Sequence, residues 1–444
     1  MEPANQRLLR WVFVFGLIAP AARADQSLQP AFNEPTAAAV AWAARVGLES
    51  HREQFAHEGG PPVEIHFFLK PGRKELASRI VGTTMAALSR VADWYGPYHG
   101  EPVTIIDAPW DRGLTRAWHP GLMIVSSRWI EPATDMSLER ALIGGIARQY
   151  WSSLRMRDEA DAWFKEGVVL YSGERAINDV LEGRHFDSRR YFGGFVPYSI
   201  RSLQLSRRPA DPRPRVRRFA ELEDMSSTRW PVPGVVASAQ ARQAALALHT
   251  LERYIGWPAL EQALHTFRVQ VGSASASPAD FVALVGEQRG VDLTWFFAEA
   301  YRFPARFDYG IEAFSSSRQP EGQPAFVTTL RLRRYGDAVF SGTSKAKTAV
   351  SAGARALAVD LSFADGSGTR AWWDGREAQL ELLYESAAPA LRASVDPDAM
   401  LLLDADRTNN TIVLQPSHRP LGARLVLNWM VWLQDLVLTY TSLS

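Results

Sequence analysis

Metal or acid–base chemistry in this chain would first be sought at its nine histidines. None stands in His-x-x-x-His spacing, the pattern that lets two imidazoles on one helical face share a metal ion. His51 and His57 are badly spaced for one face. His249 and His265 fall in helical patterns, where a satisfied core or surface histidine is the usual finding. There is no cysteine, which removes thiolate nucleophiles, thiolate ligands and disulfides together. The 15 Trp and 21 Phe fit a core or an interface better than a ligand box. One carboxylate, Glu166, sits in a well-formed helical pattern, and an ion pair is its first reading.

These residues need elements to hold them. A chain of 444 residues is too long for one ordinary core, so two or three domains are expected. Hydrophobic residues make up 46% and charged residues 22%, as in folded globular proteins. The formal net charge of +1 gives no electrostatic case for a nucleic-acid partner. The N-terminus reads as a secretory signal over 1–24. Arg7 and Arg10 precede the apolar Trp11 to Ile18, and Ala22-Arg23-Ala24 supplies a small-x-small cleavage site. The alternative is an uncleaved signal anchor, although the apolar run is short for a span.

Residues 25–60 are Ala-rich and then polar, without a strong period. Val63 to Leu69, Val103 to Ile106 and Leu122 to Val125 read as strands. Glu75 to Tyr95, Leu138 to Trp151 and Ala160 to Ala176 carry apolar residues at helical spacing. Ser206 to Arg218 alternates arginine with proline, which forbids a helix and predicts an exposed loop. That loop is a solvated connector or, alternatively, an anion or lipid site. Helical patterns return over Val235 to Tyr254, Ala259 to Val269, Pro278 to Glu287 and Leu293 to Tyr301. From Phe326 the period becomes two, with turns at Asp365-Gly366 and Asp374-Gly375, which suggests a small β-sandwich. The apolar segment Leu425 to Tyr440 ends the chain. Asp435 near its centre favours packing on a partner or lying in a membrane interface over crossing a bilayer.

Ala141 to Trp151, followed by Ala162-Trp163-Phe164-Lys165-Glu166-Gly167 and a helix through Tyr171, resembles the paired active-site helices of the aminopeptidase N family of zinc peptidases. In that family the first helix reads His-Glu-x-x-His, then Gln and an aromatic pair, and the second supplies a Glu ligand. The resemblance puts Gly144 at the first ligand, Gly145 at the general base, Arg148 at the second ligand and Glu166 at the third. The interval from Arg148 to Glu166 is one residue shorter than the family usually shows. Glycine has no donor atom and arginine is permanently cationic, so zinc is expected to be lost and no cofactor is expected. Trp118 stands where the family's strand carries the glutamate for the substrate amine. Ala241 stands where it carries the oxyanion tyrosine. Arg148 and Glu166 come together where ligands would converge, so a guanidinium–carboxylate pair in the metal's place is expected.

The resemblance implies an α+β multidomain fold. A thermolysin- or aminopeptidase N-like, mostly helical catalytic-type domain over 61–315 follows a remnant N-terminal region over 25–60. A small β-sandwich over 320–415 and a C-terminal apolar helix over 421–444 complete it. The expected function is that of an exported, periplasmic pseudopeptidase that binds a peptide or protein partner, with the membrane surface reached through the C-terminal helix. Two alternatives stand beside it: a residual or altered aminopeptidase-type hydrolase, and a purely structural role in an assembly.

Overall fold

Val63, Ile65, Phe67 and Leu69 put apolar side chains on one face of a strand, while Glu64, His66 and Phe68 give its other face a mixed character. In the computed structural model it is β2 (Val63–Leu69), a central strand of a mixed sheet. The structure describes residues 35–108, 117–125, 137–181, 239–271, 275–290, 292–301, 306–320, 325–341 and 357–414. The signal segment, the Arg/Pro-rich loop and the C-terminal apolar segment lie outside these residues.

Helix α1 (Pro35–Arg45) and strand β1 (Glu49–Phe55) precede β2, and α2 (Lys74–Tyr95) leads to β3 (Val103–Asp107). A short hairpin, β4 (Ala117–His119) and β5 (Leu122–Val125), completes the sheet in the order β1-β2-β3-β5-β4. β2, β3 and β5 run parallel, and the outer strands β1 and β4 are antiparallel to their neighbours. Alternate residues explain the layers. Phe68, Ile106, Leu122 and Ile124 pack on Trp42 of α1, whereas Ile65, Phe67, Ile105, Met123 and Val125 join the main core beneath the other helices.

The polar stretch before residue 60 therefore holds structure that periodicity did not reveal. β1 exposes nearly every side chain and buries Phe55; its backbone pairing with β2 holds it in place.

Helices α3 (Ser137–Tyr150) and α4 (Ala162–Val180) follow, the second entered through a 3-10 turn at Glu159–Asp161. Between them, β6 (Arg155–Met156) pairs with β7 (Ser275–Ala276). Helices α5 (Ala239–Ile255), α6 (Trp257–Val271), α7 (Pro278–Arg289) and α8 (Thr294–Ala300) complete the helical part. α7 opens with a capping box in which Ser277 and Asp280 satisfy each other's backbone.

The period-two region forms two facing sheets, ordered β11-β10-β13-β14 and β12-β9-β8. The strands are β8 (Tyr309–Arg318), β9 (Phe326–Arg334), β10 (Leu357–Phe363), β11 (Gly368–Trp373), β12 (Gln379–Ser386), β13 (Ala390–Val395) and β14 (Thr411–Val413). Gly366 and Gly375 take positive φ of 85° and 66° at the expected turns, a conformation that suits glycine. β8 runs across the boundary expected between 315 and 320. The sheets share one core with the helices, through Tyr309, Leu330, Leu332, Leu361 and Trp373. No helix among the described residues is long and apolar enough to cross a membrane.

Candidate functional site

α3 and α4 pack side by side because each carries small residues on the shared face. A Cβ on Gly173 would lie 3.4 Å from the Gly144 Cα and 3.7 Å from the Ala147 Cβ. Across this contact Arg148 and Glu166 meet as a two-pronged pair. One terminal nitrogen donates to Oε1 at 2.9 Å and the other to Oε2 at 2.7 Å. Both side chains are partly open to solvent, at 24% and 34% exposure. This geometry is the strongest form of the guanidinium–carboxylate hydrogen bond.

The other expected positions surround the pair unevenly. Gly144 is half-buried on the same helix, and a Cβ there would meet nothing within 4 Å. Gly145 is buried. Ala241 is fully buried on α5, and its carbonyl lies 3.1 Å from where a Cβ on Gly167 would stand. Trp118 lies mid-strand in β4, paired in register with Met123. Thus Arg148 touches Glu166, while Ala241 packs against Gly167, the residue after Glu166 in sequence.

Two residues that position this site were not singled out from sequence. Gln149 is 2% exposed and clamps the β4–β5 hairpin to α3. Its amide donates to the His119 carbonyl at 2.7 Å and the Leu122 carbonyl at 3.3 Å, and its Oε1 accepts from the Gly121 N–H at 2.9 Å. Lys165 donates to the carbonyls of Ser152 and Leu154, at 2.9 and 2.7 Å, just beyond the C-terminal end of α3. Burial lowers the Lys165 pKa; neighbouring Glu166 opposes that shift, while Arg148 and Arg155 add to it. The Gln149 signal was visible as the Gln after the second ligand position, although its partners were not.

Deeper in the helices, α4 makes a second ion pair. Arg175 and Glu252 of α5 form a short contact, and Tyr171 donates to Glu252 Oε2 at 2.7 Å. The Arg175 guanidinium lies 3.3 Å from the Trp257 ring centroid. His249 is buried with its ring 4.5 Å from that of Tyr171. A cavity of about 210 Å³ opens elsewhere along α4, lined by Trp163, Gln240, Gln243 and Tyr301. Among the described residues, no group of three or more His, Asp or Glu side chains is placed to hold a metal ion.

No protein-family model matches the chain. No curated protein matches it either. Solved structures do. Aminopeptidase A of Legionella pneumophila, solved in complex with aspartic acid, aligns with a TM-score of 0.50 at 12% identity, over 86% of this chain and 40% of that one. The M1 zinc metallopeptidase of Deinococcus radiodurans aligns at 20% identity with a TM-score of 0.38, over 57% of this chain and 50% of that one. The chain therefore spans well under two thirds of the length of either. The likeness to the Legionella enzyme concerns the fold alone, a mixed arrangement of helix and sheet.

Proposed function

We propose that this chain is an exported, non-catalytic pseudopeptidase that binds a peptide or protein partner at or near the membrane. The observation carrying the proposal is the two-pronged Arg148–Glu166 pair. If these helices are the counterpart of a peptidase's metal-binding pair, one ligand position offers no side chain. Another offers a permanent cation, and both oxygens of the third already accept hydrogen bonds. The residues present do not fit a zinc ion, and no step is derived through one. Gly145 gives no general base, and Ala241 gives no hydroxyl for an oxyanion. Trp118, at the amine-binding position, lacks a carboxylate. What remains is a scaffold in which a Cβ at Gly144 would meet nothing within 4 Å, and such open space would suit binding rather than turnover.

Export rests on the arginine-led apolar N-terminus with its Ala-Arg-Ala site, and membrane association rests on the C-terminal apolar segment. The decisive experiment is metal analysis and aminopeptidase assay of the purified full chain. Substoichiometric zinc and no turnover above a blank are expected. Stoichiometric zinc, or turnover that Glu166→Gln abolishes, would overturn the reading. Co-purification from the native host, with and without residues 421–444, then identifies the partner. It also reports whether that segment keeps the protein in the membrane fraction.

A further inference from the structure

The segment from Asp396 to Asn410 ties the helical part to the paired sheets. On the helical side, the Leu402 N–H donates to Thr250 Oγ1 of α5 at 3.2 Å. Arg253, one turn on, donates to the carbonyls of Ala399 at 2.7 Å and Asp398 at 3.3 Å. On the sheet side, Asp404 bridges Phe307 and the Ala405 N–H donates to the Phe307 carbonyl at 2.8 Å. The Asn409 and Asn410 carbonyls accept from Ile311 and Val395, at 2.9 and 2.8 Å. Asp396 and Ala399 take left-handed φ of 48° and 59°, unusual for residues with a Cβ. The Asp396 carboxylate holds that turn by accepting from the Met400 and Leu401 amides, at 2.6 and 3.0 Å.

Asp404 lies at the centre of this junction and is 8% exposed. Its carboxylate accepts from the Asn410 amide at 2.8 Å and the Asp406 N–H at 3.2 Å, and among the described residues it has no ion pair. Arg407 turns instead to Asp396, at 3.4 Å, and to the Leu401 carbonyl. The charged groups acting on Asp404 are Arg407 and Asp396 of its own loop and Asp308 ahead of β8. Asp308 is itself held by Asn409 at 2.9 Å. Tyr309 adjoins from β8, with Arg334 of β9 and Glu299 of α8 beyond it, and Asp406 stands near Asp308. From α5, Arg253 faces backbone carbonyls. Carboxylates outnumber cations here, and burial favours the neutral acid. On the same pair, Asn410 Oδ1 is buried without a donor.

We propose that this segment is an acid-strengthened latch, in which a proton on Asp404 fastens the paired sheets to the helical part. Without the proton, the closed junction holds a carboxylate out of water without an ion-pair partner and near two others. With it, the repulsion disappears. A half-turn of the Asn410 amide then lets the new O–H donate to the oxygen that lacks a partner.

The sign follows from proton binding. Burial, mainly, pushes Asp404 up to about 7 in the closed form. An open, solvated aspartate titrates at about 3.9. Between these values the closed form holds more protons than the open form, so closure is favoured in acid and weakens as pH rises through about 7. Above that pH the effect is complete.

Amide hydrogen exchange on the full chain from pH 5 to 8, corrected for intrinsic rates, tests the latch at Leu402 and Ala405. One proton changes the opening equilibrium by about tenfold per pH unit within the window. Protection should therefore fall by roughly that factor between pH 5.5 and 6.5 and level off above about 7. Asp404→Asn should remove this dependence. Should that variant fail to fold, Asp308→Asn serves instead, because losing one like charge should move the levelling-off to lower pH. Protection that is flat or rises with pH in the wild type overturns the latch. So does an unchanged slope in Asp404→Asn, or an unmoved one in Asp308→Asn.

Discussion

Two arginine–glutamate pairs hang on α4, and they are built for different purposes. Arg148–Glu166 is a symmetrical fork at the surface end of the α3–α4 contact, with a quarter to a third of each side chain in water. Arg175–Glu252 lies about two and a half turns further along, and its side chains are 20% and 18% exposed. There Tyr171 donates to the carboxylate and Trp257 stacks under the guanidinium, so the charges are bound by a phenol and a ring as well as by each other. A partly solvated pair contributes little to folding and can change at small cost to the fold, whereas removing one member of a more buried set leaves a desolvated charge. The expected site thus sits where the scaffold can tolerate change, and the neighbouring network holds the helices that carry it.

That contrast can be broken in measurable steps. Arg175→Ala should destabilise the protein by about 3–5 kcal/mol in urea unfolding, since Glu252 loses its cation and Trp257 its stacking partner. A loss below about 1 kcal/mol would show the two pairs to be equivalent. Gln149→Leu should cost about 2 kcal/mol, because the Gly121 N–H loses its acceptor inside the protein. Faster exchange of the Gly121 amide would locate the damage in the hairpin. Gly167→Ala places a Cβ 2.4 Å from that of Ala244 and should cost about 1–3 kcal/mol by overpacking. Ala244→Gly in the same chain should restore most of that loss, which separates close helix approach from helix propensity. Glu166→Gln should cost less than about 1 kcal/mol, the smallest effect of the four. A larger loss would place that pair in the fold-holding class.

Much of the fold could be read from periodicity, for a physical reason. In α2 the residues Leu76, Ile80, Leu88 and Val91 recur at helical spacing because one face is buried, and the structure buries each of them. β3 and β5 read as apolar runs because they are covered on both faces. β1 escaped notice, and β4 was reached only through the resemblance, because their place is set by backbone pairing to a neighbour, which leaves little mark on side-chain type. β8 was missed for a related reason. Its first three residues are buried, and its later ones, ending in Ser315-Ser316-Ser317-Arg318, alternate without strong hydrophobicity. At the candidate site the meeting of Arg148 and Glu166 was expected from the resemblance to a metal-binding helix pair. The Gln149 clamp was not, because its partners His119, Gly121 and Leu122 come from a hairpin about 30 residues earlier in the chain.

With the meeting of Arg148 and Glu166 supplied by the resemblance, the sequence by itself determined helices α2 to α8 and which side chains the candidate positions carry. Those are local facts, written in residue type and in spacings of three, four and two. Tertiary structure alone decided that Gln149 binds the hairpin and that Arg175, Tyr171 and Trp257 gather around Glu252. It also placed Asp404 beyond ion-pairing distance of Arg407 at the junction between helices and sheets. Each depends on segments distant in sequence packing close enough to exclude water, and it is the loss of water that gives a hydrogen bond or an unpaired charge its weight.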